Sequence, residues 1–182
     1  MGKIQFKRIT RDVENTEFSC GIDSIDQYIK ESYYPVLIQH AYAYSIMTDD
    51  IILGYYQILF REIKIEDFPE EISGYDDTGI KENTISAVHI RYIAVDKKYQ
   101  HNKIGTNILK TIIKNVRELS NSWPIRVITI DARKELVKWY KREGFLEMEH
   151  NTPGQKGVTI AMYFDCHRFA EDLKEYVDSM IM

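Results

Sequence analysis

A predicted strand that runs directly into a predicted helix is the feature that most constrains the fold of this chain. Residues 86–96 are rich in β-branched and aromatic side chains, and both faces of the run become apolar toward its end, as in a central strand. Just after Gly105, apolar residues begin to recur at helical spacing. These residues are Ile108, Leu109, Ile112, Val116 and Leu119. The succession of strand, loop and helix predicts a mixed α/β fold.

Shorter patterns on both sides of this segment predict the other elements. Residues 42–47 and 52–60 predict an antiparallel β-hairpin. A helix should begin at Asp23 or Ser24, and Pro35 should break or bend its far end. The remaining predicted elements are a short strand from Ile4 to Ile9, a strand over 125–130, a short helix over 135–142 that ends at Gly144, and a last strand over 158–164.

The length of 182 residues suits a single domain over 1–182, with a core over 1–166 and a terminal helix over 167–182. The terminal helix is predicted because five apolar side chains share one of its faces. These are Phe169, Leu173, Tyr176, Val177 and Met180. Such a stripe has to be covered, either by the chain's own sheet edge or first helix, or by the same helix of a second copy. We therefore expect a monomer or a homodimer.

Charge and composition argue against several classes of protein. The formal net charge is -4, so the molecule as a whole has no net attraction for nucleic acid or an acidic membrane. Two cysteines, Cys20 and Cys166, are too few for a disulfide framework and lack the spacing of a zinc site. The sequence contains neither a signal-peptide pattern nor an apolar run long enough to span a bilayer. We expect a cytoplasmic protein that does not associate with membranes.

The loop between the predicted strand and helix has the properties of an anion site. A strand that runs through a short turn into a helix directs backbone N–H groups and the positive end of the helix dipole toward one point. Between positions 96 and 117 the sequence has one acid, Asp96, and six bases. The bases are Lys97, Lys98, Lys103, Lys110, Lys114 and Arg117. Because the P-loop and dinucleotide-binding glycine patterns are absent, the residues predict a phosphate-bearing ligand of unspecified kind.

At this loop the sequence resembles the GNAT N-acetyltransferases, whose fourth strand is followed by Gln/Arg-x-x-Gly-x-Gly/Ala. Gln100 and Gly105 match that motif, and Ile93-Ala94-Val95 stands where the family commonly has Leu-Ala-Val. The resemblance implies a mixed, mostly antiparallel sheet flanked by helices, with acetyl-CoA as cosubstrate and no metal. It implies that acetyl-CoA is bound by Ile93, Ala94, Val95, Gln100, His101, Asn102, Lys103, Ile104, Gly105 and Thr106. Since Lys103 replaces the first glycine of the motif, a non-catalytic acyl-CoA-binding or partner-binding module is the rival interpretation.

A second point of resemblance concerns the catalytic groups. Residues 139–145 are similar to the family's Phe-Tyr-x-x-x-Gly-Phe, which implies that Tyr140 is the general acid that protonates the departing thiolate. Family members often place a general base on the fourth strand, where this chain has His89. Glu62 and a chain of water molecules are the alternatives for the base. Both residues also have a purely structural interpretation: Tyr140 as a helix residue packed beside Trp139, and His89 as a structural side chain on a strand.

A third similarity concerns the acceptor. Residues 18–29, Leu53-Gly54-Tyr55-Tyr56 and Asp131-Ala132 resemble the toxin-type acetyltransferases that modify aminoacyl-tRNA. The net negative charge and the acidic stretch after Phe60 do not favour tRNA, although the basic residues of 97–114 could contact either tRNA or the phosphates of coenzyme A. The sequence therefore predicts direct acetyl transfer to a primary amine, with a polyamine, a protein amine and aminoacyl-tRNA all open as acceptors.

Overall fold

The computed structural model describes residues 3–49, 51–68, 84–148 and 159–167. The chain forms two compact units. The first comprises Met1–Arg61 and Val88–Asn115, and the second comprises Glu62–Ala87 and Val116–Met182. Each unit is made of two separate stretches of chain, so its core depends on contacts between residues that are distant in sequence.

The first unit begins with a strand, a short 3₁₀ turn and two short helices, and continues into a hairpin. These elements are β1 (Gln5–Arg8), the 3₁₀ turn Arg11–Asn15, α1 (Asp23–Lys30), α2 (Tyr33–Leu37), β2 (Tyr42–Thr48) and β3 (Ile51–Lys64). Strand β4 (Thr84–Val95) and helix α3 (Ile104–Ser120) then follow, and the bounds of the two units fall within β3, β4 and α3. Pairing of β1 with β2 and of β2 with β3 is antiparallel. The predicted hairpin is thus confirmed, and its second strand is longer than the sequence pattern indicated.

Packing in the first unit joins α1 and α2 to the strands through one apolar cluster. Ile29 of α1 and Val36 of α2 are buried in the same cluster as Tyr55 of β3 and Tyr92 and Ala94 of β4. Pro35 lies inside the first turn of α2, where a missing N–H costs no helical hydrogen bond. The predicted single helix is therefore two helices, α1 ending at Lys30 and α2 beginning at Tyr33.

The second unit contains the remaining elements. They are the 3₁₀ turn Ile65–Asp67, β5 (Val127–Arg133), the 3₁₀ turn Lys134–Leu136, α4 (Val137–Arg142), β6 (Leu146–Glu147) and β7 (Thr159–Asp165). Both β5 and β6 pair with β7 in antiparallel fashion. Next to the first β5–β7 pair, the Arg126 guanidinium donates to a carboxylate oxygen of Asp165 at 2.9 Å. Gly144 adopts φ 95° after α4, which explains why the helix ends there.

In the described residues the strand order is β1-β2-β3-β4-β5-β7-β6, and the four pairings above are antiparallel. This order confirms the predicted mixed α/β fold with a mostly antiparallel sheet, and it confirms that the strand over 86–96 is central. Three predicted features lie wholly or partly outside the described residues: most of the acidic stretch after Phe60, the first residue of the last predicted strand, and the terminal helix with its stripe from Phe169 to Met180. None of the helices in the described ranges is long and apolar enough to span a membrane.

Candidate functional site

The candidate site begins where β4 ends, in a turn over residues 96–103 that we call the β4–α3 turn. Backbone hydrogen bonds anchor its start to two other segments: Asp96 N–H donates to Leu53 O at 2.9 Å, and Lys97 N–H donates to Ser19 O at 3.0 Å. The Asp96 carboxylate then accepts a hydrogen bond of 2.8 Å from the N–H of Lys98. The one acidic side chain of this basic segment is therefore occupied by the turn itself.

Gln100 closes the turn through its side chain. Its Nε2 donates to Val95 O at 3.1 Å and to Cys20 O at 2.9 Å, so one amide joins the end of β4 to the loop before α1. Asn102 acts similarly over a shorter range, because its Nδ2 donates to the carbonyl oxygens of Tyr99 and Gln100. Both side chains thus hold the backbone of the turn in shape.

The backbone of the turn alternates in handedness. His101 has φ 64° and Lys103 has φ 60°, both in the left-handed region, whereas Asn102 between them does not. Lys103 thus adopts a conformation that usually calls for glycine, at a cost of roughly 1–2 kcal/mol for an L-residue. Turns that contain left-handed residues can direct neighbouring N–H groups toward one side, as in anion-binding nests. The replacement of the motif glycine by lysine is compatible with the turn.

Helix α3 follows at once and contributes its positive end. The carbonyl of Lys103 accepts the first helical hydrogen bond, from Asn107 N–H at 3.0 Å. The N–H groups of Ile104 and Gly105 therefore lie in the first turn, where no helical acceptor exists. Ile104, Ile108 and Leu109 are buried and fix the helix against the first unit. Because the first turn contains no acidic residue, nothing in it opposes a bound phosphate.

The end of β4 lies unusually close to β3. A Cβ atom added to Gly54 would be 2.5 Å from the carbonyl oxygen of Ala94, a distance that real Cβ atoms do not tolerate. Gly54 is therefore required by the close approach of the two backbones. Ala94 is buried, while Ile93 and Val95 on either side of it are half-buried. The family resemblance implies that acetyl-CoA contacts this stretch.

His89 lies earlier on β4 and is 4% exposed. Burial, together with the positive charges of Arg61 and Arg91, lowers the pKa of His89 from 6.5 to about 3. The imidazole is therefore neutral near pH 7, which a base requires, but its affinity for a proton is weak. Arg91, two residues farther along β4, belongs to the same face of the strand by alternation but is exposed. His89 and Arg91 therefore differ in their access to solvent.

Tyr140 lies in α4 of the second unit and is 4% exposed. Its ring packs edge-on against Trp139, with ring centroids 4.5 Å apart, and against Phe145, with ring centroids 5.5 Å apart. Burial raises the pKa of Tyr140 well above its usual value of 10, so the phenol stays protonated at neutral pH. Protonation is the state that a proton donor needs.

The first unit also contains a cleft that the sequence motifs did not indicate. Its volume is about 440 Å³, and α1, α2, β3 and β4 all contribute to its lining. Six of its polar or aromatic lining residues are Glu14, Tyr28, Glu31, Ser32, Gln57 and Arg91. A polar Gln57 within the apolar strand β3 was the available sequence signal, because a glutamine between aromatic and aliphatic residues has to satisfy its amide somewhere. Within the described ranges, no group of three or more His, Cys, Asp or Glu side chains could hold a metal ion.

Comparison with known proteins gives a family and a set of similar folds. A family model described as an acetyltransferase (GNAT) domain matches residues 19–163. A search of curated proteins gives no match. Among solved structures, one described as a bacterial toxin is 17% identical with a TM-score of 0.75, covering 96% of this chain and 97% of that chain.

Two further structures are informative through their ligands. AtaT complexed with acetyl-methionyl-tRNAfMet is 15% identical with a TM-score of 0.73, covering 99% of this chain and 100% of that chain. AtaTR bound with AcCoA is 17% identical with a TM-score of 0.71, covering 90% of this chain and 94% of that chain. Because the identities are this low, the structural similarity establishes the fold alone.

Proposed function

Since this chain belongs to the GNAT acetyltransferase family, we propose that it transfers the acetyl group of acetyl-CoA directly to a primary amine. The observation that carries this proposal is the β4–α3 turn. Two left-handed residues of the turn are followed at once by the positive end of α3, in a segment with six bases and one acid. That combination suits the pyrophosphate of coenzyme A.

Within this proposal the cofactor-binding residues divide by role. His101, Lys103, Ile104, Gly105 and Thr106 contribute backbone N–H groups toward the phosphates. Gln100 and Asn102 act through the hydrogen bonds that shape the turn. Ile93, Ala94 and Val95 line the path of the pantetheine arm and can pair with its amides through their backbone. The exposed Lys97, Lys98 and Lys103 add positive charge around the phosphates.

Acetyl-CoA supplies an activated acetyl group as a thioester when bound. In the transfer, a bond forms between the amine nitrogen and the carbonyl carbon, and the carbon–sulfur bond breaks. The amine loses one proton and the departing thiolate gains one. We propose that the hydroxyl of Tyr140, which burial keeps protonated, donates the proton that the departing thiolate gains. No covalent bond to the protein is needed.

The base is the less defined partner. His89 is neutral at pH 7 and remains our candidate for accepting the ammonium proton, but a pKa of about 3 makes it a weak acceptor. Glu62 or a chain of water molecules is the alternative. A weak base suffices if the amine reaches the site already neutral, because the proton then leaves only after nitrogen has attacked the carbonyl.

Calorimetry with acetyl-CoA, combined with a free-thiol assay in the presence of amines, tests the proposal. An acetyltransferase gives heat of binding and an amine-dependent release of thiol. A binding module gives heat but no thiol above the rate of spontaneous hydrolysis, and that result would favour the non-catalytic interpretation.

A second candidate acceptor is aminoacyl-tRNA. It is favoured by one observation, the similarity of nearly the whole chain to AtaT, whose structure holds acetyl-methionyl-tRNAfMet. The net charge of -4 argues against a broad tRNA-binding surface, so contact would have to be local, at the basic residues around the β4–α3 turn. Thiol release that depends on charged tRNA and not on uncharged tRNA would establish this acceptor, whereas equal release with both would exclude it.

A further inference from the structure

Gln57 is buried in the cleft of the first unit with an unused hydrogen-bond donor. It lies on β3, opposite Ala43 of β2, and is 2% exposed. Its amide nitrogen has no hydrogen-bond partner among the described residues. Buried polar groups in folded proteins are almost always paired, so a buried amide that lines a cleft indicates a ligand that completes the pairing.

Burial distinguishes Gln57 from the other polar groups of the cleft. Ser32, which is also buried, uses its hydroxyl to donate to Ile29 O at 2.5 Å. Glu31 accepts a hydrogen bond from Gln27, and the exposed Arg91 has its guanidinium over the ring of Tyr28 at 5.3 Å. Of the two buried polar side chains in the lining, Gln57 is the one whose donor has no partner among the described residues.

The cleft is lined by charges of both signs. The carboxylates of Glu14 and Glu31 can attract an ammonium group, and Lys30 and Arg91 add an equal number of positive charges. Arg91 lines the same cleft, and Val95, where the β4–α3 turn starts, lies four residues farther along β4. At about 3.3 Å per residue this separation is roughly 13 Å along the strand. An amine held in the cleft is thus on the strand that also leads to the proposed cofactor site.

We propose that Gln57 selects acceptors whose amino group is next to a carbonyl, as in an α-aminoacyl ester or amide, by donating its amide N–H to that carbonyl oxygen. The inference rests on the proposed acetyltransferase function. A polyamine or a lysine side chain has no oxygen near its reacting nitrogen and would leave the Gln57 amide buried and unpaired. Gln57 is thus a specificity-determining residue that separates the acceptor classes left open by the sequence.

Two matched amines test this selection. Leucinamide carries a carbonyl beside its amino group, and isopentylamine is the same molecule without the carboxamide. We expect Gln57→Leu to lower kcat/KM for leucinamide by about 5-fold to 100-fold and to leave kcat/KM for isopentylamine unchanged or raised. Comparing the variant with wild type cancels the different basicities of the two amines. Gln5→Leu, the same change at an exposed strand position, serves as the control and should leave both values unchanged.

A binding measurement separates failure of this inference from failure of the proposed function. In ¹⁵N-labelled wild-type protein, the side-chain amide signals of Gln57 should shift on titration with leucinamide and stay in place with isopentylamine. If they shift selectively while neither amine is acetylated, the selection stands and the proposed function is wrong. If both amines are acetylated and Gln57→Leu slows them equally, or if the Gln57 signals respond alike to both, the selection is overturned.

Discussion

At the scale of single residues, Lys103 shows how the chain departs from its family motif without losing the turn. A lysine at φ 60° stores strain that glycine would not. We therefore expect Lys103→Gly to raise the free energy of unfolding by up to about 1 kcal/mol, measured by denaturant titration. Lys97→Gly is the matched control: Lys97 is exposed in the same turn without a left-handed backbone, so glycine should lower stability there. A lower free energy of unfolding for Lys103→Gly than for wild type would show that Lys103 is not strained.

His89 should make stability depend on pH. Its pKa is about 3 in the folded chain and near 6.5 in the unfolded chain, so the unfolded state binds the extra proton first as pH falls. The contribution is fully present above pH 6.5 and is lost as pH falls toward 3. Between about pH 7.5 and pH 5 the loss is about 2 kcal/mol.

The measurement for His89 is the free energy of unfolding at about pH 7.5, 6.5 and 5.0, which spans the titration of an unperturbed imidazole. His89→Gln should remove most of the loss, while His40→Gln, at an exposed position, should retain it. Equal pH dependence in wild type and His89→Gln would show that the imidazole is not held neutral by burial.

Tyr140 is predicted to act on turnover and not on binding. Tyr140→Phe removes the hydroxyl but preserves the ring that packs against Trp139 and Phe145. If the phenol protonates the departing thiolate, kcat falls about 100-fold to 10,000-fold while the acetyl-CoA dissociation constant changes little. Single-turnover kinetics would measure the chemical step, and a wild-type rate there would make Tyr140 structural.

At the scale of elements, the approach of β3 to β4 should be intolerant of any side chain at position 54. Gly54→Ala introduces a Cβ atom 2.5 Å from Ala94 O, so the end of β4 has to move. We expect a loss of roughly 1–3 kcal/mol in stability. We also expect weaker binding of acetyl-CoA, because β4 carries Ile93, Ala94 and Val95. Calorimetry and thermal unfolding would measure both effects, and unchanged values would show that the two strands can separate without consequence.

Elements with strong periodicity were predictable from sequence. The hairpin, β4 and α3 follow from alternating or helical patterns of apolar residues, because burial of a whole face leaves a regular trace. Strand β6 has two exposed residues and leaves no such trace. The division lies between α1, which ends at Lys30, and α2, which begins at Tyr33 and has Pro35 in its first turn, where proline is tolerated. A pattern of apolar residues does not reveal such a division.

The candidate site was predictable only in part, for a physical reason. Motif spacing indicated the β4–α3 turn, but the left-handed angles of His101 and Lys103 and the dual hydrogen bonds of Gln100 depend on tertiary contacts. The depressed pKa of His89 results from burial and from Arg61 and Arg91, which strand parity alone does not predict. The cleft with Gln57 combines residues from five elements, the 3₁₀ turn Arg11–Asn15, α1, α2, β3 and β4, so no local pattern encodes it.

At the scale of the whole molecule, a net negative chain concentrates positive charge in the segment that we assign to acetyl-CoA. Six bases and one acid lie between positions 96 and 117, in a protein with a formal charge of -4. Local concentration of this kind favours a small polyanionic cosubstrate over a long nucleic-acid backbone. The function that we propose therefore depends on one turn and one helix start more than on overall charge.

Transfer of an isotopically labelled acetyl group tests the central claim most directly, because thiol release alone does not distinguish transfer from hydrolysis. With labelled acetyl-CoA and a primary amine, mass spectrometry should detect the label on the amine, and Gly105→Asp, which places a negative charge in the first turn of α3, should abolish it at low acetyl-CoA concentration. Label recovered only as free acetate, or equal transfer by Gly105→Asp under those conditions, would contradict the account.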